Sequence, residues 1–184
     1  LRVLERIEPA ATQLLVQLQP AQLRAIRKRY DATNDEWREE WMEGSAEKRL
    51  RHRIKQATSR IEDFYGRLDA PQRATLEKWL TSSSYDARVS YTERLRRQAD
   101  SLHTFERMAQ GGPATPAMQS LLHAWIERAF EPTDASYRAY RQTLWQENCA
   151  GFAKLHNSAT PEQRQKLAQT LQRYENDFRA LMQP

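Results

Sequence analysis

The sequence predicts an all-α protein of seven or eight amphipathic helices, arranged as stacked antiparallel helical hairpins. Apolar residues recur at spacings of three and four along almost the whole chain, whereas no stretch shows the strict alternation of a β-strand. Charged residues make up 29% of the chain and glycine occurs only five times, which is typical of long helices with one solvated face. Cap-forming residues separate the periodic stretches and support the same fold class.

Five apolar stripes mark the predicted helices. The first comprises Leu23, Ile26, Tyr30, Trp37 and Trp41, with Asn34 in its one polar position. The others are Leu50, Ile54, Ala57, Ile61, Phe64 and Leu68; Leu95, Leu102 and Phe105; Tyr137, Tyr140, Leu144, Phe152 and Leu155, with the polar Asn148 among them; and Leu167, Leu171, Tyr174, Phe178 and Leu181. Each stripe is expected to be buried against another helix. An Asn on a stripe would either fix the register of a buried seam or line an accessible one.

Four breaks divide the stripes, at residues 44–45, 82–84, 111–116 and 131–134. The strongest is GGPATP at 111–116, which combines two glycines with two prolines. The chain is therefore predicted to form either a single helical domain over residues 1–184 or two subdomains with a boundary near 111–116. Pro9 is expected to open a short helix near the start of the chain.

A short motif occurs three times, as LQPAQL at 18–23, LDAPQR at 68–73 and ATPEQR at 159–164. In each copy a cap residue is followed three positions later by a Gln, whose side chain can reach back to the N–H of the cap. Asp69 and Thr160 are good caps, whereas Gln19 is a poor one. Because an apolar residue follows each Gln four positions later, the motif predicts the start of an amphipathic helix, used repeatedly.

The charge of the chain limits its partners without selecting one. The net charge is +5 and the isoelectric point about 9.5, which suits nucleic acid, anionic lipid or an acidic protein. Acidic side chains are nevertheless interspersed with the basic ones along most of the chain, as on an ordinary solvated helical surface. No window approaches the length of an apolar membrane span, and a single cysteine, Cys149, excludes an intrachain disulfide.

The most charged segment pairs an acidic stretch with a basic one. NDEWREEWMEG at 34–44 places carboxylates one helical turn apart, a spacing that could hold a hard cation. EKRLRHRIK follows directly, and in an antiparallel hairpin Glu40 would approach Arg49 and Glu36 would approach Arg53. We favour this mutual neutralisation over a metal site. Nucleic-acid binding through the basic helix at 48–55 is a further, weaker alternative.

No catalytic constellation is apparent in the sequence. The four His residues fall in different predicted helices and lack metal-ligand spacing, and neither a nucleophile elbow nor a phosphate-binding loop occurs. Cys149 lies beside an apolar stripe and is expected to be a small buried side chain. The sequence therefore predicts no enzyme activity, no catalytic residue, no cofactor and no metal.

Trp37 and Trp41 share a stripe with Tyr30, so core packing is the first interpretation of these aromatic residues. The alternative is an aromatic concave surface with a basic rim that binds exposed apolar segments of other proteins. The candidate partner-binding residues on that interpretation are Trp37, Trp41, Arg49, Arg51 and Arg53.

The order of LQPAQL, NDEWREEW, EKRLRHRI, LDAPQR and ATPEQR resembles an uncharacterised family of Gram-negative bacterial lipoproteins. Members of that family usually carry an acylated N-terminal cysteine, so the resemblance implies a location in the periplasm or on the periplasmic face of the outer membrane. The family has no assigned activity and hence no catalytic residues to transfer.

The repeated motif also resembles, more weakly, the Leu-Thr-x-x-Gln signature of periplasmic spheroplast-protein-type chaperones, with Ala159, Asp69 and Gln19 as departures. Those chaperones are all-helical, basic cradles that work without ATP. Together the two resemblances imply a protein-binding module of the cell envelope that holds a protein partner or unfolded client. The alternative is a structural or assembly subunit of the envelope without client binding.

Overall fold

A computed structural model describes residues 2–181 of the chain and the side chains from residue 6 onward. Within this part of the chain the structure contains helices and no strand, which confirms the all-α prediction. Its eight helices are α1 (Arg2–Leu15), α2 (Pro20–Trp41), α3 (Ala46–Tyr65), α4 (Ala70–Ser82), α5 (Ala87–Gln110), α6 (Pro116–Phe130), α7 (Ala135–Asn157) and α8 (Pro161–Leu181).

The helices form two compact units, each built from two separate stretches of chain. Unit 1 contains the residues up to Met42 together with Asp86–Arg141, and unit 2 contains Glu43–Tyr85 together with the residues from Gln142 onward. Residues 111–116, where the sequence suggested a boundary between subdomains, lie inside unit 1. They connect α5 to α6, and these two helices pack on each other. A glycine- and proline-rich connection therefore marks the end of a helix here, not a boundary between units.

Unit 1 is organised around α5. The helices α1, α2 and α6 all pack on α5, and α1 also packs on α6. Pro9 lies inside α1, so the expected helix start at this residue is wrong. Because Thr12 of α1 is completely buried, packing outweighs the loss of one backbone hydrogen bond at the proline.

The interior of unit 1 is rich in polar groups. Buried Asn34 of α2 donates to Oε1 of Gln98 at 2.7 Å, and its own Oδ1 accepts from Gln98 at 3.0 Å and from Nε of Arg94 at 2.7 Å. Asn34 therefore fixes the register of a buried seam between α2 and α5. On the same α5 the predicted stripe residue Leu95 is exposed, whereas Glu93 is buried and forms ion pairs with Arg96 and Arg97.

Unit 2 has an apolar core. Leu68, Leu76, Leu80 and Leu155 are buried together, and Ile54, Ala57, Ile61 and Trp79 pack around them. The predicted stripe of α3 thus lies against the core, since α3 packs on both α4 and α8. Helix α3 is capped by Gly66, whose φ of 80° favours glycine. This conformation ends the helix and directs the chain toward α4.

The three repeated motifs start helices α2, α4 and α8, as predicted. The backbone N–H of Asp69 donates to Oε1 of Gln72, and that of Thr160 donates to Oε1 of Gln163, each at 3.0 Å. At the start of α2, Gln19 N–H donates likewise to Gln22 at 2.8 Å. All three Gln side chains therefore satisfy a backbone donor that the helix cannot.

The two motif copies in unit 2 also bind each other. Nε2 of Gln72 donates to Oε1 of Gln163 at 2.8 Å, and Nε2 of Gln163 donates back to Oε1 of Gln72 at 3.0 Å. Each amide uses its second N–H on a carbonyl two residues before the partner's cap, at Ser158 and Arg67 respectively. We call this arrangement the Gln72–Gln163 clasp, and it pins the starts of α4 and α8 together through two fully used amides.

Candidate functional site

Trp37 and Trp41 lie in unit 1 as part of a half-buried stack of rings. The ring of Trp37 stacks on Tyr91 of α5 at 5.4 Å and on Trp41 at 6.0 Å, with interplanar angles of 16° and 17°. Stacking on α5 means that Trp37 packs between α2 and α5. Its role in partner binding stays a prediction. Core packing, the first interpretation of these residues, accounts for this contact.

The candidate arginines lie on α3, in unit 2, and each holds local structure. Nη1 of Arg49 donates to the carbonyl of Gly44 at 2.6 Å, and Arg51 forms an ion pair with Glu47 one turn earlier. Arg53 donates to the carbonyl of Leu80 at 3.3 Å, and its guanidinium lies 4.4 Å from the centre of the Tyr85 ring. These contacts stabilise the start of α3 and its packing on α4.

The acidic segment before α3 lies mostly in α2. Helix α2 belongs to unit 1, whereas α3 belongs to unit 2. Within α2, Arg38 neutralises Asp35 at 3.0 Å. The pairing of Glu40 with Arg49 and of Glu36 with Arg53 stays a prediction. In the part of the chain that the structure describes, no group of three or more His, Cys, Asp or Glu side chains is arranged to hold a metal ion.

The second half of α8 carries a row of exposed apolar side chains. Every side chain from 171 to 181 is exposed, and four of them are large and apolar: Leu171, Tyr174, Phe178 and Leu181, with exposed fractions of 51%, 46%, 65% and 81%. We call these four residues the α8 seam. The prediction that this stripe is buried is wrong beyond Thr170, which is the last buried side chain of the helix.

Three side chains of α8 contact α3 or the residues just after it. Lys166 lies against Gly66, and Gln163 donates a hydrogen bond to the carbonyl of Arg67. The ring centroids of Tyr174 and Phe64 are 5.9 Å apart. Phe64 is thereby the ring contact between α3 and the seam. A helix half with one apolar face and no buried side chain is unusual, because such a face is normally covered.

Helix α7 adds two further exposed aromatic residues to unit 2. Trp145 is 70% exposed and Phe152 is 46% exposed, although Phe152 lies on a predicted buried stripe. Phe152 stacks on His156, whose Nδ1 shares a 2.7 Å hydrogen bond with the hydroxyl of buried Tyr65. Burial raises the pKa of Tyr65, so its hydroxyl stays protonated.

One other expectation for α7 is wrong as well, because Cys149, for which the sequence suggested burial, is exposed. Asn148 is also exposed, which agrees with the second of the two roles expected for an Asn on a stripe, that of lining an accessible face. The buried side of this helix is formed by Gly151 and Leu155. Small size at 151 is essential, because an added Cβ would lie 2.1 Å from the Trp79 ring. The tryptophan of α4 thus packs directly on the backbone of α7.

A groove of about 430 Å³ opens beside this contact. Its lining includes Lys78, Trp79 and Lys154, together with Glu147 of α7. Both carboxylate oxygens of Glu147 accept hydrogen bonds from the 82–84 turn, including one from the N–H of Ser84 at 2.8 Å. Hydrogen bonds from Ser84 lower the pKa of Glu147, which therefore carries its charge at neutral pH and ties α7 to the end of α4.

The comparisons with known proteins give a family without an activity. The model of a family of unknown function, DUF6279, matches residues 2–128. The chain belongs to this family. No curated protein and no solved structure matches it. The lipoprotein and chaperone resemblances are not tested by these findings and stay predictions.

In this DUF6279 member the matched stretch runs from α1 to near the end of α6, so the α8 seam lies outside it. The seam was present in the sequence as the last apolar stripe, but only the structure shows that it is uncovered. Its strict spacing gave the position of the helix face and no information about what covers it. Among the described residues, no helix is both long and apolar enough to cross a bilayer.

Proposed function

We propose that this protein is a non-catalytic protein-binding module of the cell envelope, which holds apolar segments of other proteins on unit 2. The observation that carries the proposal is the α8 seam. Single exposed apolar residues are ordinary on protein surfaces, whereas four in register on one helix are typical of a binding face.

The energetics of such a face suit reversible binding. Full burial of one large apolar side chain contributes about 1.5–3 kcal/mol. Covering the four residues of the seam would contribute about 6–12 kcal/mol at most, which is of the same order as the cost of association, so the complex would be weak and reversible. An interaction of that strength can capture a partly unfolded chain and release it without an energy source.

The cellular location in this proposal comes from the lipoprotein resemblance. That resemblance implies the periplasm or the periplasmic face of the outer membrane. The chaperones of the weaker resemblance work there without ATP. Partners would be unfolded or partly folded clients. Any attachment to the membrane would be through an N-terminal lipid anchor outside this chain.

Suppression of client aggregation tests the proposal. The whole chain is mixed in stoichiometric excess with a chemically denatured client, and light scattering is followed with the unaltered protein and with the double variant Leu171→Ser, Phe178→Ser. We expect the unaltered chain to reduce scattering and the α8 variant to lose most of that protection, because its apolar area is halved.

The matched control is the double variant Ile7→Ser, Leu14→Ser, which removes two exposed apolar side chains of α1 in unit 1. It should protect the client as well as the unaltered protein does. Absence of protection by the unaltered chain, at any excess and with several clients, would leave the alternative of a structural or assembly subunit. Equal loss in both variants would show that protection does not depend on α8.

A further inference from the structure

The spacing of the apolar residues on α8 indicates what kind of surface can pack against them. From Leu167 the apolar residues follow at intervals of four, three, four and three, which is the 3.5-residue period of a coiled-coil seam. At 100° per residue, Leu167 and the four seam residues together span only about 80° of the helix circumference. A stripe this narrow fits one partner helix, whereas a helix that lies on a bilayer presents a much wider apolar face.

The charges beside the seam select the chemistry of the partner. Glu175 and Asp177 border the stripe on opposite sides, each about 80° from its centre. Arg179 holds Glu175 at 2.7 Å in an exposed pair, and Asp177 has no ion-pair partner among the described side chains. Two bordering carboxylates would repel an anionic lipid surface, which attracts helices bordered by Lys and Arg.

A second copy of the chain is also disfavoured. If two α8 seams met, the carboxylates of Glu175 and Asp177 would border both sides of the interface, and like charges would face each other across it. A partner helix with Lys or Arg at the equivalent bordering positions would instead meet opposite charges along both edges. The exposed pair with Arg179 is weak enough to exchange for such a contact.

We infer that the α8 seam binds a basic amphipathic helix of another protein, with leucine-like residues at a 3.5-residue period and Lys or Arg at the bordering positions. This inference rests on the proposed function and specifies its partner. The net charge of +5 would by itself favour acidic partners, so a measured preference for a basic helix would have to come from the local carboxylates.

Three synthetic helical peptides of equal length test the inference by fluorescence anisotropy with the whole chain. The first carries leucines at the 3.5-residue period and Lys at the bordering positions, the second replaces those Lys with Glu, and the third keeps the Lys but replaces the leucines with Ser. We expect the first to bind about tenfold more tightly than the second and the third to show no saturable binding.

Charge variants of the chain test whether Glu175 and Asp177 cause the preference for the Lys peptide. Glu175→Gln with Asp177→Asn should reduce the discrimination between the Lys and Glu peptides to about twofold or less, because the bordering charges are gone. Gln165→Lys with Gln169→Lys changes the net charge by the same amount on the opposite side of α8 and should leave most of the discrimination in place. Far-ultraviolet circular dichroism confirms that both variants stay helical.

The possible failures are distinguishable. If the chain protects denatured clients but binds the Lys and Glu peptides equally, the proposed function stands and the inference about the partner is overturned. Preference for the Glu peptide would also overturn it. If neither peptide binds and no client is protected, both proposals fail together. Concentration-dependent self-association that Phe178→Ser abolishes would show that the occupant is a second copy.

Discussion

Unit 1 and unit 2 contain similar numbers of helices but are held together by different chemistry. Unit 1 buries polar and apolar side chains together: Asn34 and Glu93, the latter only 6% exposed, are buried and hydrogen-bonded, and Leu102, Met108 and Leu122 are buried as well. Unit 2 has four buried leucines at its centre and a pair of glutamine amides at one end. Directional hydrogen bonds between α2 and α5 therefore add to apolar packing in unit 1, whereas volume and apolar area dominate at the centre of unit 2.

The polar interior of unit 1 extends along α5 and α6. Arg128 of α6 holds Asp100 through two nitrogens at 3.0–3.2 Å and also donates to Thr104 at 3.3 Å. Nε1 of Trp125 donates to Ser101 at 3.2 Å. The apolar stripes do not follow this division, because the stripe of α2 in unit 1 is half-buried or buried throughout, whereas the stripe of α8 in unit 2 is exposed beyond Thr170.

The largest effect should come from the apolar core of unit 2. Leu76 is completely buried among Leu68, Leu80 and Leu155. Leu76→Ala removes three carbon atoms and leaves a cavity, so we expect the free energy of unfolding to fall by about 2–5 kcal/mol in urea denaturation followed by circular dichroism. Leu171→Ala on the exposed seam is the matched control and should change it by about 0.5 kcal/mol or less. Similar losses in the two variants would contradict the assigned core.

Unit 1 should respond to loss of a charge. Glu93 accepts hydrogen bonds from Arg96 and Arg97 at 2.7–2.9 Å. We expect Glu93→Gln to lower the free energy of unfolding by about 1.5–3 kcal/mol at pH 7, since bonds to a charged group are lost. Arg51→Gln, which breaks an exposed pair on α3, is the control and should cost about 0.5 kcal/mol.

The same residue predicts a dependence on pH. Burial alone would raise the pKa of Glu93, but the hydrogen bonds from Arg96 and Arg97 outweigh it and leave the pKa lowered. A lowered folded pKa means that this stabilisation is complete above the unfolded pKa, near 4.3, and is lost as pH falls through the folded value. The stability difference between the unaltered chain and Glu93→Gln should therefore shrink in acid. A difference that grows below pH 4 would contradict the assignment.

The smallest expected effect concerns the Gln72–Gln163 clasp. Gln72→Ala and Gln163→Ala each remove a cap bond as well as the contact between the amides, so single losses do not isolate the clasp. A double-mutant cycle does, and we expect a coupling free energy of about 1 kcal/mol from urea denaturation of the four proteins. Additive losses would mean that the two helix starts are stabilised separately.

Much of the fold was predictable because local signals agree with it. The caps at Asp69 and Thr160, the Gln residues that reach back to them and the stripe of α3 all follow from short-range chemistry. Pairing between distant segments was not predictable. Nothing in LDAPQR or ATPEQR indicates that Gln72 and Gln163 bind each other, because a Gln that caps a helix has the same sequence signature whether or not its free N–H groups find a partner.

The candidate site shows the same limit. Trp37 and Trp41 suggested either a core or an open cradle, and the contact of Trp37 with Tyr91 could not be predicted without knowing that α2 packs on α5. The apolar stripe of α8 was found in the sequence, but its exposure depends on how the whole chain packs. Periodicity gives the direction of a helix face, whereas coverage is a property of the assembled chain.

The discontinuous make-up of the two units affects how the chain is completed during synthesis. Unit 1 gains α5 and α6 only after the whole stretch from Glu43 to Tyr85 has been made, and the Gln72–Gln163 clasp must wait for α8. At about 5–20 residues per second, the start of α4 waits roughly 5–20 s for its partner. During that interval the leucines of α4 lack Leu155 of α7, so the nascent chain itself passes through a state that exposes apolar surface.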